Sequence, residues 1–358
     1  VDVNNRMEEF QDLLKRTHQA KLKVIIDFVP NHVARQYHSI MKPVSEHDLG
    51  EDDDATMNFS PGNNFYYCPG TPLQLQFDTC QGEFEPYYEM PAKATGNDRF
   101  DHRPEVNDWY ETVKLNYGID YCGGRSCHFD PIPDTWIKML NILLFWASKG
   151  IDGFRCDMAE MVPVEFWQWA ISKVKEQYPA VLFIGEVYNP SEYRNYIHKG
   201  GFDFLYDKVG MYDTLRSVIS GSAPASAITS AWQSLDDIHD HTLFFLENHD
   251  EQRIASDFFA GDAMKALPAF IVSLLLRQNP FMLYFGQEFG ERGMDQEGFS
   301  GLDGRTTIFD YWTVPSVNRW LTGNLAPSEK SLWSVYHRLL HIASKEKAVT
   351  DGEFFDLM

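Results

Sequence analysis

Four apolar runs of the sequence close on polar side chains that can move protons: DFVPNH at 27–32, GFRCD at 153–157, FIGEV at 183–187 and FLENHD at 245–250. They set Asp157, Glu186 and Asp250, with Arg155, His32 and His249, in the same kind of place. A carboxylate nucleophile and a carboxylic acid about 5 to 5.5 Å apart are what a retaining glycosidase needs, with further polar groups to steady an oxocarbenium-like transition state. Arg155 lies two positions before Asp157, so on a strand both side chains share one face, where a permanent cation keeps a carboxylate ionised and fit for attack. Glu186 follows Phe183, Ile184 and Gly185, an apolar approach whose burial favours the protonated form that a general acid uses. Any one of these carboxylates alone would read as a helix cap or an ion-pair partner, and His32 and His249 as structural histidines. Asp27, inside its run, reads as a holder of loop backbone. A metal-dependent lyase or isomerase draws on similar residue types, but no HExxH spacing is present.

The elements that must carry these residues share one rhythm, an amphipathic helix followed by a β-branched and aromatic run. Helices are expected at 8–20, 134–149, 164–178, 263–276 and 331–345, and strands at 23–29, 151–156, 181–186, 202–206, 242–247 and 280–285. Such alternation implies a parallel sheet, and polar residues at strand ends are where a barrel does its catalysis. A (β/α)8 barrel spends roughly 30 residues on each unit. From Asp157 to Glu186 is 29 positions, one unit, and from Glu186 to Asp250 is 64, two units. From Asp27 to Asp157 is 130 positions, which leaves about 100 for an insertion. The expectation is an α/β chain: a (β/α)8 TIM barrel at 1–32 and 128–347, an inserted subdomain at 33–127 after the third strand, and a linker or the start of a β-domain at 348–358. Six strands are visible where a closed barrel needs eight, so the first two strands are expected upstream of the recorded start.

Composition narrows the partners. The length of 358 residues suits a little over two average domains, or one large barrel with an insertion. With 31 basic against 52 acidic residues the net charge is −21, which disfavours nucleic acid, whose binding rests on basic side chains. The longest apolar stretches, 139–147 and 266–276, are too short to span a bilayer. The first residues show neither a basic start nor an apolar core of a signal peptide. Four of the five cysteines, Cys68, Cys80, Cys122 and Cys127, fall in the insertion and Cys156 in a strand. Two disulfides, most simply Cys68 with Cys80 and Cys122 with Cys127, would place the protein outside the cytoplasm, secreted or periplasmic; free thiols are the alternative, and zinc is disfavoured because no CxxC pair exists.

In order and at strand ends, DFVPNH, GFRCD, GEV at 185–187 and ENHDEQR at 247–253 resemble the four signature regions of the α-amylase superfamily, the glycoside hydrolase family 13 of retaining α-glucan hydrolases and transglycosylases. TVKLN at 112–116 resembles its short motif near the end of the inserted domain, and NPFMLYFGQEFGE at 279–291 its last barrel strand. The resemblance implies Asp157 as nucleophile, Glu186 as general acid/base and Asp250 as transition-state stabiliser, with His32, Arg155, His249, Tyr188 and Arg253 contacting sugar. It also implies a structural calcium ion with Asn31 among its ligands. The acidic run at 48–54 reads better as a solvated loop than as a second calcium loop. Glu160-Met161 after the nucleophile looks closer to neopullulanase and cyclodextrinase-like members than to α-amylases with Lys-His there. Tyr66, Tyr67, Trp109, Tyr110, Tyr188 and Trp312 are candidate sugar platforms, whereas Trp146, Trp167 and Trp169 read as helix core. The resemblance implies an α-1,4-glucan hydrolase acting on starch-like substrates, with a glucanotransferase as the alternative and a non-catalytic glucan- or partner-binding relative as a remote one. Against the family's pattern, the chain looks truncated at both ends; oligomeric state is not legible.

Overall fold

The computed structural model describes residues 4–39, 42–79, 87–235, 237–295, 302–306 and 314–356. The chain forms two compact units, one of Val1–Val187 with Arg194–Asp203 and one of Tyr188–Tyr193 with Phe204–Met358.

In the first unit, helix α1 (Arg6–Gln19) leads to strand β1 (Ile25–Phe28). After it come three short antiparallel pairs: β2 (His32–Ala34) with β5 (Thr112–Lys114), β3 (Tyr67–Cys68) with β4 (Ala92–Lys93), and β6 (Ile119–Asp120) with β7 (Ser126–Cys127). Helix α2 (Asp134–Ser148), strand β8 (Gly153–Cys156), helix α3 (Val164–Gln177) and strand β9 (Leu182–Gly185) complete it. β1, β8 and β9 are parallel, with Asp27 registered on Arg155 and Cys156 on Gly185. The helical period shows in α3, which buries Val164, Phe166, Trp167, Ala170, Ile171 and Val174. Trp167 is fully buried, edge-on to Phe28 and Phe202, and its indole N–H donates to Ala159. Truncating such a side chain costs about 3–5 kcal/mol, so the expectation of a core tryptophan holds here. Trp146 and Trp169 are half-buried.

The second unit holds β10 (Phe204–Tyr206), helices α4 (Asp213–Ile219) and α5 (Ala227–Gln233), β11 (Thr242–Phe245), α6 (Leu267–Leu275), β12 (Phe281–Met282), α7 (Pro315–Leu321) and α8 (Pro327–Lys345). β10, β11 and β12 are again parallel neighbours. All six expected strands thus exist, each within a few residues of its sequence bounds. Among the described residues no helix is long and apolar enough to cross a membrane.

The cysteine expectation is corrected in part. Cys122 and Cys127 are exposed free thiols: Cys127 registers on Ile119 across the hairpin, and Cys122 lies in the turn between its strands. The Cys68 thiol donates to the Phe100 carbonyl, and Cys80 lies outside the described residues.

Candidate active site

Parallel register brings two of the three carboxylates together. One step beyond the last registered pair of β8 and β9 stand Asp157 and Glu186, their backbone N–H groups donating to Phe28 and Cys156 as the ladder runs out. Both carboxylates meet one guanidinium: Arg155 Nη1 is 2.7 Å from Asp157 Oδ1, and Nη2 is 2.8 Å from Glu186 Oε2. The same fork reaches Asp27 at 3.1 Å, so Asp27 steadies Arg155 rather than loop backbone. The side chain of Glu186 is 2% exposed and that of Asp157 20%. The surroundings of Glu186 are less apolar than its strand suggests, because the Met158 N–H also donates to it at 2.9 Å. That N–H is aimed by a left-handed backbone, φ +44°, at a non-glycine residue directly after the nucleophile candidate. Such a conformation is costly and persists where surrounding structure imposes it.

His32 opens β2 with its ring 5.4 Å from that of Trp109. Burial lowers its pKa; Asp157 and Glu111 oppose the shift and Lys114 adds to it. The neighbouring Asn31 is fully buried. Its Nδ2 donates to the Gly96 carbonyl at 2.8 Å, and its Oδ1 accepts from Lys114 Nζ at 2.5 Å. Gly96 is a close approach: a Cβ there would stand 2.7 Å from Thr112 Oγ1 and 2.9 Å from the His32 Cβ.

This arrangement does not fit the calcium expectation. Calcium gathers six to eight oxygens at 2.3–2.6 Å, and the one oxygen that Asn31 could offer already holds an ammonium. Among the described residues, no three His, Cys, Asp or Glu side chains form a group that could hold a metal ion. In the acidic run, Asp53 accepts from the N–H groups of Asn64 and Phe65, and Asp48 from that of Ser39, so these side chains serve the loop's own backbone.

In the second unit, Asp250 stands exposed beyond the end of β11, with His249 Nε2 3.2 Å from its carboxylate. Asn248 shapes this turn by accepting from the N–H groups of Asp250 and Glu251. Arg253 is corrected: it is completely buried and cannot meet substrate where it stands. Its guanidinium pairs with Glu247 at 2.8 Å, donates to Thr306 and the Phe285 carbonyl, and lies 4.2 Å from the Tyr284 ring centre. Burial pushes the Glu247 carboxyl up and Arg253 opposes it. Tyr188, half-buried, begins the segment Tyr188–Tyr193 of this unit.

Two other candidate platforms are buried in the core of the first unit. Tyr66 is buried, donates to the Ile119 carbonyl and packs edge-on to Phe100 and Tyr121, and Tyr67 is buried with its hydroxyl on Asp53. Tyr110 packs against Phe77, and Trp312 lies outside the described residues. Met158 and Lys114 were not singled out by sequence; TVKLN marked the place of Lys114 without assigning its lysine a role.

Residues 133–317, which include Asp157, Glu186 and Asp250, match the model of the alpha amylase catalytic domain. Over 97% of its length the chain is 26% identical to Alpha-amylase 3 of Dictyoglomus thermophilum, of which it spans 65%. Over 29% of its length it is 32% identical to the α-1,4-glucan:maltose-1-phosphate maltosyltransferase of Cereibacter sphaeroides, covering 18% of that protein. Among solved structures, the native Nostoc punctiforme debranching enzyme shares the fold with a TM-score of 0.65 at 20% identity, over 97% of this chain and 62% of that one. The chain therefore spans less than two thirds of the length of these relatives. With its strand–helix alternation that of a partial (β/α)8 barrel and the match covering more than half its length, the chain belongs to the α-amylase catalytic-domain family.

Proposed function

We propose that the protein is a retaining glycoside hydrolase of α-glucans, cleaving α-1,4 bonds of starch-like chains. The observation that carries this reading is the Arg155 fork, which holds Asp157 and Glu186 side by side at the ends of adjacent parallel strands. Asp157, the more exposed of the two, attacks the anomeric carbon while Glu186 gives its proton to the departing glycosidic oxygen. Glu186 then takes a proton from water, whose oxygen displaces Asp157 and releases the sugar. The role of Asp250, orienting substrate hydroxyls, rests on its place in the ENHDEQR motif.

Asp157→Asn tests the assignment: turnover of soluble starch and maltooligosaccharides should disappear while the fold is kept, and a variant of near wild-type rate would sink it. A second reading, transfer of the glycosyl intermediate to a sugar hydroxyl, is favoured by the similarity to a maltosyltransferase. Incubation with excess maltose separates the two, since longer oligosaccharides mark transfer and glucose and maltose alone mark hydrolysis. A panel of starch, pullulan and cyclodextrin then sets linkage preference.

A further inference from the structure

The ammonium of Lys114 sits in a cage of oxygens drawn from three distant parts of the first unit. Asn31 Oδ1 is 2.5 Å away, Asp98 Oδ1 2.7 Å and the Met161 carbonyl 3.2 Å, with the Tyr121 ring centre at 5.8 Å. Lys114 itself is 1% exposed. Asp98 holds a left-handed backbone, φ +67°, tolerable for an aspartate and closed by a turn in which its N–H donates to Thr95. Each ligand belongs to something the site depends on. Asn31 adjoins His32, Asp98 belongs to the inserted region, and Met161 ends the short 3-10 turn Ala159–Met161 that follows Asp157.

A positive charge surrounded by one carboxylate and two neutral oxygens, joining a strand end, an insertion and the loop behind a nucleophile, is what a structural divalent cation would supply from the same place. Here the charge is covalent. A calcium ion could share neither the Asn31 oxygen nor the space with an ammonium 2.5 Å from it, because two cations at such a distance repel strongly in a buried site.

We propose that Lys114 is a built-in replacement for a structural metal ion: its ammonium fastens Asn31, Asp98 and Met161 together, and the protein keeps its strand-end loops in place without calcium. The stem of Lys114 anchors the cation to β5, so it cannot be removed by a chelator.

Thermal unfolding of the whole chain tests this without any sugar. After chelator treatment and desalting, the midpoint in EDTA and in millimolar calcium should agree within about 2 °C, the shift that a fraction of a kcal/mol produces in a protein of this size. A wild-type midpoint that drops by several degrees in EDTA and recovers with calcium overturns the proposal, and this arm needs no variant. Lys114→Ala leaves the three oxygens without their cation, so its midpoint should fall and then rise on adding calcium, a response the wild type lacks. A Lys114→Ala protein that melts like the wild type also overturns it.

Discussion

Arg155 Nη2 lies 2.8 Å from Glu186 Oε2 while the other end of the same guanidinium holds Asp157, so one planar group sets the spacing of both carboxylates. A lysine at this position is a point charge and cannot span the two. Arg155→Lys should therefore lower kcat on maltooligosaccharides by about 100-fold or more, the scale of losing a preorganised electrostatic contact. Circular dichroism should show an unchanged fold; a kcat within a few-fold of wild type would mean the fork is dispensable.

Gly96 predicts a subtler loss. A methyl group there meets the His32 Cβ and the Thr112 hydroxyl inside van der Waals contact, so Gly96→Ala must push His32 away from its place beside Trp109. Displacing His32, whose place in DFVPNH implies contact with sugar, by a fraction of an ångström should cost roughly 10-fold to 100-fold in kcat/KM. Steady-state kinetics on maltooligosaccharides check this, and an Ala variant with wild-type kcat/KM would remove His32 from the site.

Asp207 gives a pH prediction in the second unit. Burial pushes its carboxyl up to about 6 from the ordinary 3.8, although the N–H groups of Met211 and Gly210 donate to it. Between these two values the folded chain binds more protons than the unfolded one, so this group's contribution to stability falls as pH rises through the window and its full penalty is present at neutral pH. On going from pH 7 to pH 5 the wild type should gain on the order of 1 kcal/mol relative to Asp207→Asn, which does not titrate. Urea unfolding of both proteins at the two pH values measures the difference; a gap that stays constant contradicts it.

Arg253 and Glu247 form a completely buried ion pair. Arg253→Met should destabilise by about 3–5 kcal/mol, since it leaves the buried Glu247 carboxyl without its cation and with only the Ile254 N–H donating to it. Adding Glu247→Leu should recover part of that loss, because the bare carboxylate is gone. Single and double variants compared in denaturant decide it, and a double variant weaker than the sum of the singles would show that the pair is not the main cost.

The sequence made the strand-end carboxylates readable because apolar runs and strand periodicity are local. Arg155 and Asp157 could be placed on one face by their separation of two, and the structure pairs them. What stayed hidden depends on contacts far apart in the chain. Lys114 meets Asn31 across 83 positions, and nothing near TVKLN says that its lysine turns inward. Tyr66 and Tyr67 lie in a region with no regular period, where an aromatic pair looks the same whether it faces a sugar or a core. For Arg253 the resemblance points to sugar because the arginine closes the ENHDEQR motif, and only the location of Glu247, Thr306 and two aromatic rings around it shows that the side chain turns inward.

The enclosed Arg253–Glu247 pair also bears on how such a protein can change over generations. Each partner is tolerable only in the company of the other, so a lineage that alters either one first passes through a strongly destabilised intermediate, even when the doubly altered end point is stable. Exposed Asp250 and His249 between them carry no such lock. Stability alone therefore sets no order on changes at Asp250 and His249, whereas the buried pair is inherited as a unit.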